Sequence, residues 1–397
     1  MVYRLEDLDG DGDAMEAGEV EVYADGLTTS TAIAFDADGN LYATEFRGFL
    51  TGQDMPSGRV VMWDGDEWHV VTEGLISPTG MAIGWDGTIY AMTTLGRVLA
   101  LDAATGKIQW SADNGSLAVR QAKRQELLTA KRMAGSDDHL SLSAHLAVIG
   151  SVLFAPDAGG NGLVGLDPRS GAQLWHRADV GRTAYRLRCG SDEFAVVGNR
   201  AGELRLLDPK TGAERWTLTG ISPVKFTLTV HGEHVFVGGQ PREGGNPTWG
   251  PWRCYRLSPA GAELRWETPP EYDNNFGGDG GQQKLVVARD GLVYLGQGAS
   301  YDHIAQRRGE HTLIVEIATG RIVQAAKAPN TVAVLWGDRL AVRTESDGDV
   351  PYNWYTSDPK DFRRLSTGGW PAVKFTAGYT VPLLPAFVDG RVFVRVD

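Results

Sequence analysis

The chain has 397 residues, enough for two or three average domains or for one closed array of repeats. A net charge of −12 with no long basic run argues against a nucleic-acid footprint, and no stretch reaches the roughly 18 consecutive apolar residues of a membrane helix. Two cysteines, Cys189 and Cys254, allow one disulfide but not a stapled secreted scaffold, and 51 glycines suit many short strands joined by tight turns.

The N-terminal MVYRLEDLDGDGD lacks the basic and apolar regions of a signal peptide, so the cytoplasm is the expected compartment, with secretion the alternative had a signal peptide been removed. Residues 2–26 read as strand, turn and strand, with no hairpin ahead of them. Their turn carries Asp7, Asp9, Asp11 and Asp13 at alternate positions with Gly12 sixth, which resembles the opening of calcium loops where Gly allows a tight wrap. The twelfth position is Gly18, with Glu16 and Glu19 on either side, which excludes an EF-hand. A shorter turn holding a structural Ca2+ remains the expectation, against an acidic solvated turn.

From residue 32 onward two kinds of hairpin alternate. The first kind is AIAFDADGNLYATE (32–45), MAIGWDGTIYAMT (81–93), LAVIGSVLFAP (146–156), RLRCGSDEFAVVG (186–198), TLTVHGEHVFVGG (227–239), LVVARDGLVYLGQ (285–297) and VAVLWGDRLAVRT (332–344). The second kind is a recurring turn: LDAATGKIQW (101–110), LDPRSGAQLW (166–175), LDPKTGAERW (207–216), LSPAGAELRW (257–266) and a weakened EIATGRIVQ (316–324). Asp or Ser caps this turn, Gly supplies a positive φ, and Trp packs between neighbouring units. Trp68 to Trp110 spans 42 residues and Trp175 to Trp216 spans 41; the 65 between Trp110 and Trp175 is one period plus an insertion.

That insertion, 114–143, has helix-forming composition over 116–134, with Ser116 as cap and Gly135 as stop. Arg120, Lys123, Arg124, Lys131 and Arg132 make it basic, as a solvated rim helix, a lid or a docking helix would be. A last hairpin, PAFVDGRVFVRVD (385–397), ends without an outer pair, and residues 2–26 supply one. The expected fold is therefore all-β: one domain over 1–397, an eight-bladed β-propeller of four-stranded antiparallel blades. Its last blade takes inner strands from 385–397 and outer strands from 2–26, and closure removes exposed edges. Seven blades is the alternative.

The LDAATGKIQW-type repeat resembles the quinoprotein alcohol dehydrogenase-like propellers with PQQ-like repeats, most strongly from about residue 80 to 270. The resemblance implies the propeller but not one chemistry, because the superfamily includes both enzymes and cofactor-free scaffolds. Its quinone enzymes are longer and carry an adjacent Cys–Cys pair beside the cofactor. Here Cys189 and Cys254 are far apart, so PQQ is not expected and no catalytic cofactor is assigned.

In antiparallel blades the turns within the hairpins share one face, and the middle loops and inter-blade links share the other. The first set is short (DADG, WDG, GSDE, HGE, RSG, KTG); the second holds FRGFLTGQDMPSG (46–58), 114–143, QPREGGNPTWGPW (240–252), EYDNNFGGDGGQQ (271–283), ASYDHIAQRRGEH (299–311) and ESDGDVPYNWY (345–355). Long loops at one end of a channel suggest function. Their Phe46, Phe49, Trp249, Trp252, Phe276, His311, Tyr352 and Trp354 are the expected wall of a pocket for a small-molecule or saccharide-like ligand.

Histidine moves protons near neutral pH, so His303 with Tyr301, Tyr272 and Arg307 is the candidate catalytic set. No GxSxG, HExxH or Walker sequence is present, and GGDGG (277–281) reads as a loop rather than a phosphate cradle. The first functional expectation is a non-redox enzyme or small-molecule binder of lyase, isomerase, cyclase or hydrolase type. The alternative is a cofactor-free scaffold for a protein partner; neither reading involves nucleic acid or a membrane.

Overall fold

The computed structural model describes residues 2–6, 8, 18–27, 30–45, 58–75, 78–84, 86–93, 96–114, 146–157, 162–178, 180–181, 183–199, 201–224, 228–244, 249–275, 287–289, 291–295, 311–327, 332–336, 339–343, 354–357, 386–388 and 391–395. β1 (Val2–Leu5) and β2 (Val20–Ala24) form the first hairpin. β3 (Ser30–Phe35), β4 (Leu41–Glu45), β5 (Gly58–Trp63) and β6 (Trp68–Leu75) make an antiparallel sheet in chain order. The next is β7 (Pro78–Ile83), β8 (Ile89–Thr93), β9 (Arg97–Leu101) and β10 (Ile108–Asp113). Then come β11 (Ala147–Ile149), β12 (Val152–Pro156), β13 (Leu163–Leu166) and β14 (Gln173–Arg177). β15 (Thr183–Cys189), β16 (Asp192–Gly198), β17 (Leu204–Leu207) and β18 (Glu214–Leu218) follow.

β19 (Thr229–His231), β20 (His234–Gly238), the two-residue β21 (Trp249–Gly250), β22 (Trp252–Ser258), β23 (Gly261–Glu267) and the two-residue β24 (Asn274–Asn275) come next. The sheet order there is β19-β20-β22-β23, and β21 pairs with β24 as a separate ribbon. β25 (Val287–Arg289), β26 (Leu292–Leu295), β27 (His311–Glu316) and β28 (Ile322–Lys327) form another four-stranded sheet. β29 (Val332–Trp336), β30 (Arg339–Arg343) and β31 (Trp354–Ser357) form a three-stranded one. Finally β32 (Ala386–Val388) and β33 (Arg391–Arg395) join the first hairpin in the order β2-β1-β33-β32. The described residues thus hold seven four-stranded sheets, one three-stranded sheet and the ribbon, and the all-β propeller class is as expected from the repeats. The insertion and its expected helix at 116–134 lie outside the described residues, Asn114 apart.

Period-two alternation explains where the core sits. The second strand of each sheet is buried along its whole length in LYATE, IYAMT and VLFAP, so both of its faces must meet a neighbour. In β16, Phe194 and Val196 pack toward Val235 and Val237 of the following sheet, whereas Ala195 and Val197 pack toward Phe154 and Leu163 of the preceding one. The same alternation puts Leu153 and Ala155 with Tyr90 and Val98, and Phe236 and Cys254 with Val293 and Leu313. Each fully buried aliphatic side chain stabilises by about 1.5–3 kcal/mol, and a one-residue slip in register would expose a strand's whole inward set.

In five of the sheets the outer pair carries an irregularity in register, at Ile108/Trp110, Gly165/Leu166, Leu206/Leu207, Cys254/Tyr255 and Ile314/Val315. Such bulges twist an edge strand and spoil it as a template for further pairing. They also aim the closing Trp sideways. Trp110 Nε1 donates to Pro168 O at 3.0 Å, Trp175 to Pro209 O at 2.8 Å, Trp216 to Ser258 O at 2.9 Å and Trp266 to Ile317 O at 2.7 Å. Each acceptor sits in the recurring turn of the next sheet in the chain. The turn closes when its Asp accepts local amides: Asp208 Oδ1 takes Lys210 N and Thr211 N at 3.0 and 3.1 Å, and Asp208 O takes Gly212 N at 2.9 Å.

Trp68 departs from this series. It pairs with Trp63, the register position that Ile108 and Leu101 occupy in the next sheet, and its Nε1 points backward to Asp25 O at 2.5 Å. The 42-residue spacing from Trp68 to Trp110 therefore does not mark equivalent positions. Gln324 stands opposite Ile314 where the other sheets place their Trp, which accounts for the weakened last repeat.

Candidate functional site

The Trp contacts occupy the face formed by the short turns, so adjacent sheets are fastened there. The opposite face carries the middle loops and the links between sheets. Its rim is an ordered set of ion pairs. Arg59, Arg97 and Arg253 each start or nearly start a third strand, opposite an acid in the neighbouring strand: Glu45, Asp113 and Glu267. Arg59 Nε bonds the fully buried Glu45 carboxylate, Arg97 Nε reaches Asp113 at 3.0 Å, and Arg253 Nε reaches Glu267 at 3.0 Å. In the β11–β14 sheet His176 Nε2 lies 3.1 Å from Asp157 Oδ2.

The best-described part of this face lies over β19, β20, β22 and β23. Three chain segments are layered there. The link 220–224 lies lowest: Ile221 bridges Gly239, Ser222 Oγ donates to Gly239 O at 2.5 Å, and Gln240 Nε2 donates to Ile221 O at 2.6 Å. The loop between β20 and β22 crosses it, and Gly250 lies so close to the Gly239 and Gln240 carbonyls that a Cβ there would collide with backbone. The link after β23 completes the stack, through a short 3-10 turn at Pro270–Tyr272 and the pairing of β24 with β21.

Arg242 ties the upper two segments. Its Nε donates to both Asp273 oxygens at 3.1 Å, Nη1 to Glu267 at 2.8 Å and Nη2 to Thr268 O at 2.6 Å. Burial pushes the Asp273 carboxyl up from its ordinary value, and the guanidinium only partly offsets it. Burial acts the same way on Glu267, but there Arg242 and Arg253 together prevail and hold the carboxyl below its ordinary value. Every nitrogen of the Arg242 guanidinium is directed at another protein group, so this residue organises the loops.

Of the sequence-predicted site residues, Tyr272 packs against the apolar cluster that includes Trp252 and Trp266. Trp252 is itself 1% exposed and starts β22, so it is a core residue and not part of an open loop wall. Its backbone exchanges hydrogen bonds with Thr268, whose Oγ1 accepts from Trp252 N at 3.0 Å. Trp249 lies in the ribbon opposite Asn275, His311 begins β27 opposite Lys327, and Trp354 begins β31 opposite Arg343. Tyr301, His303, Arg307, Phe46, Phe49, Phe276 and Tyr352 lie outside the described residues, as do Asp7, Asp9, Asp11 and Asp13. Beside that acidic turn, buried Glu19 accepts Leu8 N at 2.8 Å, so this carboxylate folds back onto the chain. Both cysteines are free thiols. Arg242, Asp273 and Glu267 were not singled out from sequence; the Arg that recurs at third-strand starts could have pointed to Glu267 through Arg253, and nothing comparable marks Arg242 or Asp273.

The fold and this face together define an all-β propeller scaffold with one fastened face and one looped face. The family model for the outer membrane protein assembly factor BamB matches residues 29–189 and 159–344, and the chain belongs to that family. Among solved structures, BamB from Moraxella catarrhalis is 17% identical with a TM-score of 0.56, covering 91% of this chain and 95% of its own. The computationally designed Ika8 protein is 13% identical with a TM-score of 0.56, covering 94% and 97%. Sqt1 from Saccharomyces cerevisiae is 10% identical with a TM-score of 0.55, covering 86% of each chain. These likenesses show the fold. No curated protein matches the chain.

Proposed function

We propose that this protein is a cofactor-free propeller scaffold that holds a protein partner on its looped face. The observation carrying this reading is membership of a family described as an assembly factor for outer membrane proteins, a role that joins proteins. The face itself supports it. Arg242, Arg253, Glu267 and Asp273 order its loops into a fixed surface, as a preorganised binding surface requires. The acid/base enzyme reading gains no support from the family or the structural relatives, and neither does a small-molecule ligand or calcium.

Site-specific photocrosslinking in cells tests the proposal. A crosslinkable residue at Glu243 or Glu271, both exposed on the looped face, is expected to give discrete protein adducts. The same residue at Thr105 or Lys210, exposed in turns of the fastened face, is expected to give none. Adducts absent from the looped face, or equal on both faces, would refute the assignment.

A further inference from the structure

We propose that the turn between β5 and β6 is a docking surface for a basic, arginine-bearing segment of a partner protein, with Trp63 and Trp68 as its floor and Asp25, Asp66 and Glu67 as its rim. The distribution of charge first sets this part of the chain apart. Residues 1–75 hold 17 acidic and three basic residues, a net charge of −14, whereas the whole chain carries −12. Everything after residue 75 is therefore close to neutral, and the field that steers a cation is concentrated in the opening strands and the β3–β6 sheet.

The turn itself departs from its counterparts. Four of the recurring turns, at 102–107, 167–171, 208–212 and 316–321, each contain a cation: Lys107, Arg169, Lys210 and Arg321. Residues 63–68, WDGDEW, contain three acids and no cation. Asp64 is used up within the turn: its Oδ1 accepts Asp66 N and Glu67 N at 2.9 Å, and its Oδ2 meets His69 Nε2. The turn is thereby closed with Asp66 and Glu67 exposed, and neither pairs with a Lys or Arg among the described residues. Asp25, exposed just past β2, is brought beside them by the bond from Trp68 Nε1 to its carbonyl at 2.5 Å.

The indoles are available as well. Trp63 and Trp68 stand opposite each other in register, with ring centroids 5.2 Å apart and planes tilted by 55°, and both are partly exposed. In three later sheets the turn glycine of the next sheet lies over the Trp ring: Gly171 over Trp110, Gly212 over Trp175 and Gly320 over Trp266. Gly106, the corresponding glycine here, lies against the Val71 backbone instead, so it does not cap the Trp63–Trp68 pair. Chemistry then selects the occupant. A guanidinium stacks on an indole and donates to carboxylates at its edge, so it uses floor and rim together. A saccharide would stack too, but it needs donors as well as acceptors, and this rim offers carboxylates. The inference does not rest on the looped-face reading: this turn belongs to the β3–β6 sheet, whereas Thr105 and Lys210 lie in turns of other sheets.

Fluorescence polarisation with a labelled peptide of alternating Arg and Ala, on the full chain at low ionic strength, tests the proposal. Wild type is expected to bind the peptide, and physiological salt should weaken binding several-fold. Asp66→Asn with Glu67→Gln should weaken it about tenfold, and Trp63→Leu about threefold. Glu243→Gln with Glu271→Gln removes the same charge from the looped face and should leave the affinity at the wild-type value. The same peptide with citrulline in place of arginine should not bind. Absence of wild-type binding, equal losses from the two double variants, or binding of the citrulline peptide would each overturn the assignment. Should Trp63→Leu fail to fold, the exposed acid pair carries the test by itself. A missing crosslink on the looped face would leave this result standing, and a missing peptide complex would leave the looped-face reading standing.

Discussion

Substituting Gly212 by Ala tests the contact that links one sheet to the next. Gly212 has φ +65°, and a Cβ there would sit 2.6 Å from Trp175 Cδ2 and 2.8 Å from Cε3. Trp175 has little room to yield. It is buried, it meets Phe154 edge-on with ring centroids 5.1 Å apart, and its Nε1 is bonded to Pro209 O. Left-handed backbone costs an alanine about 1–2 kcal/mol, and overpacking a core side chain costs about 1–3 kcal/mol more. The expected sum is about 3 kcal/mol, which for a chain of this length lowers the melting temperature by about 4 °C. Gly190→Ala is the matched control: its φ is +64°, and a Cβ there meets nothing within 4 Å. It carries the backbone strain alone, worth about 1–2 °C. Scanning calorimetry on both variants reads the difference. Equal shifts would refute the view that Trp175 rests against the turn glycine of the next sheet.

Three further outcomes are expected. Amides of Ser170 and Arg169 hold the Asp167 carboxyl below its ordinary value. Its contribution to stability is therefore present above the ordinary carboxylate pKa and is lost as pH falls through the lower folded value, so Asp167→Asn should flatten the acid limb of melting temperature against pH; an unchanged limb would contradict this. Arg59→Met removes the guanidinium from the fully buried Glu45 carboxylate and is expected to cost about 3 kcal/mol, with Glu45→Gln recovering much of it in the double variant by urea titration. Burial pushes the Cys254 thiol up to about 12, so iodoacetamide at neutral pH should leave it unlabelled until the protein is unfolded, as mass spectrometry of the labelled peptides would show.

Much of the fold was legible because it is local and repeated. The turns at Asp102, Asp167 and Asp208 announce themselves through a cap, a following Thr or Ser and a glycine, all within five residues. The looped face was legible as length alone. Its fastening was not: Arg242 meets partners 25 and 31 residues away, and an isolated Arg in a loop reads the same whether it is solvated or bonded. Trp252 was misread as a loop aromatic for a related reason. An indole beside a Gly-Pro turn suits a ligand wall and a core equally well until the strand is seen to begin there. Trp68 misled through spacing, which counts residues but does not see register.

By itself, then, the amino-acid sequence determined the unit: strand, capped turn, strand and Trp, repeated so that no copy buries its apolar faces alone. That follows from period-two alternation and turn chemistry, which act over a few residues. Tertiary structure decided which neighbour each unit grips, because the Trp reaches the next turn only after a bulge has turned it. And it decided that three loops far apart in sequence share one surface, since hydrogen bonds between such segments exist only once the sheets have brought them within reach.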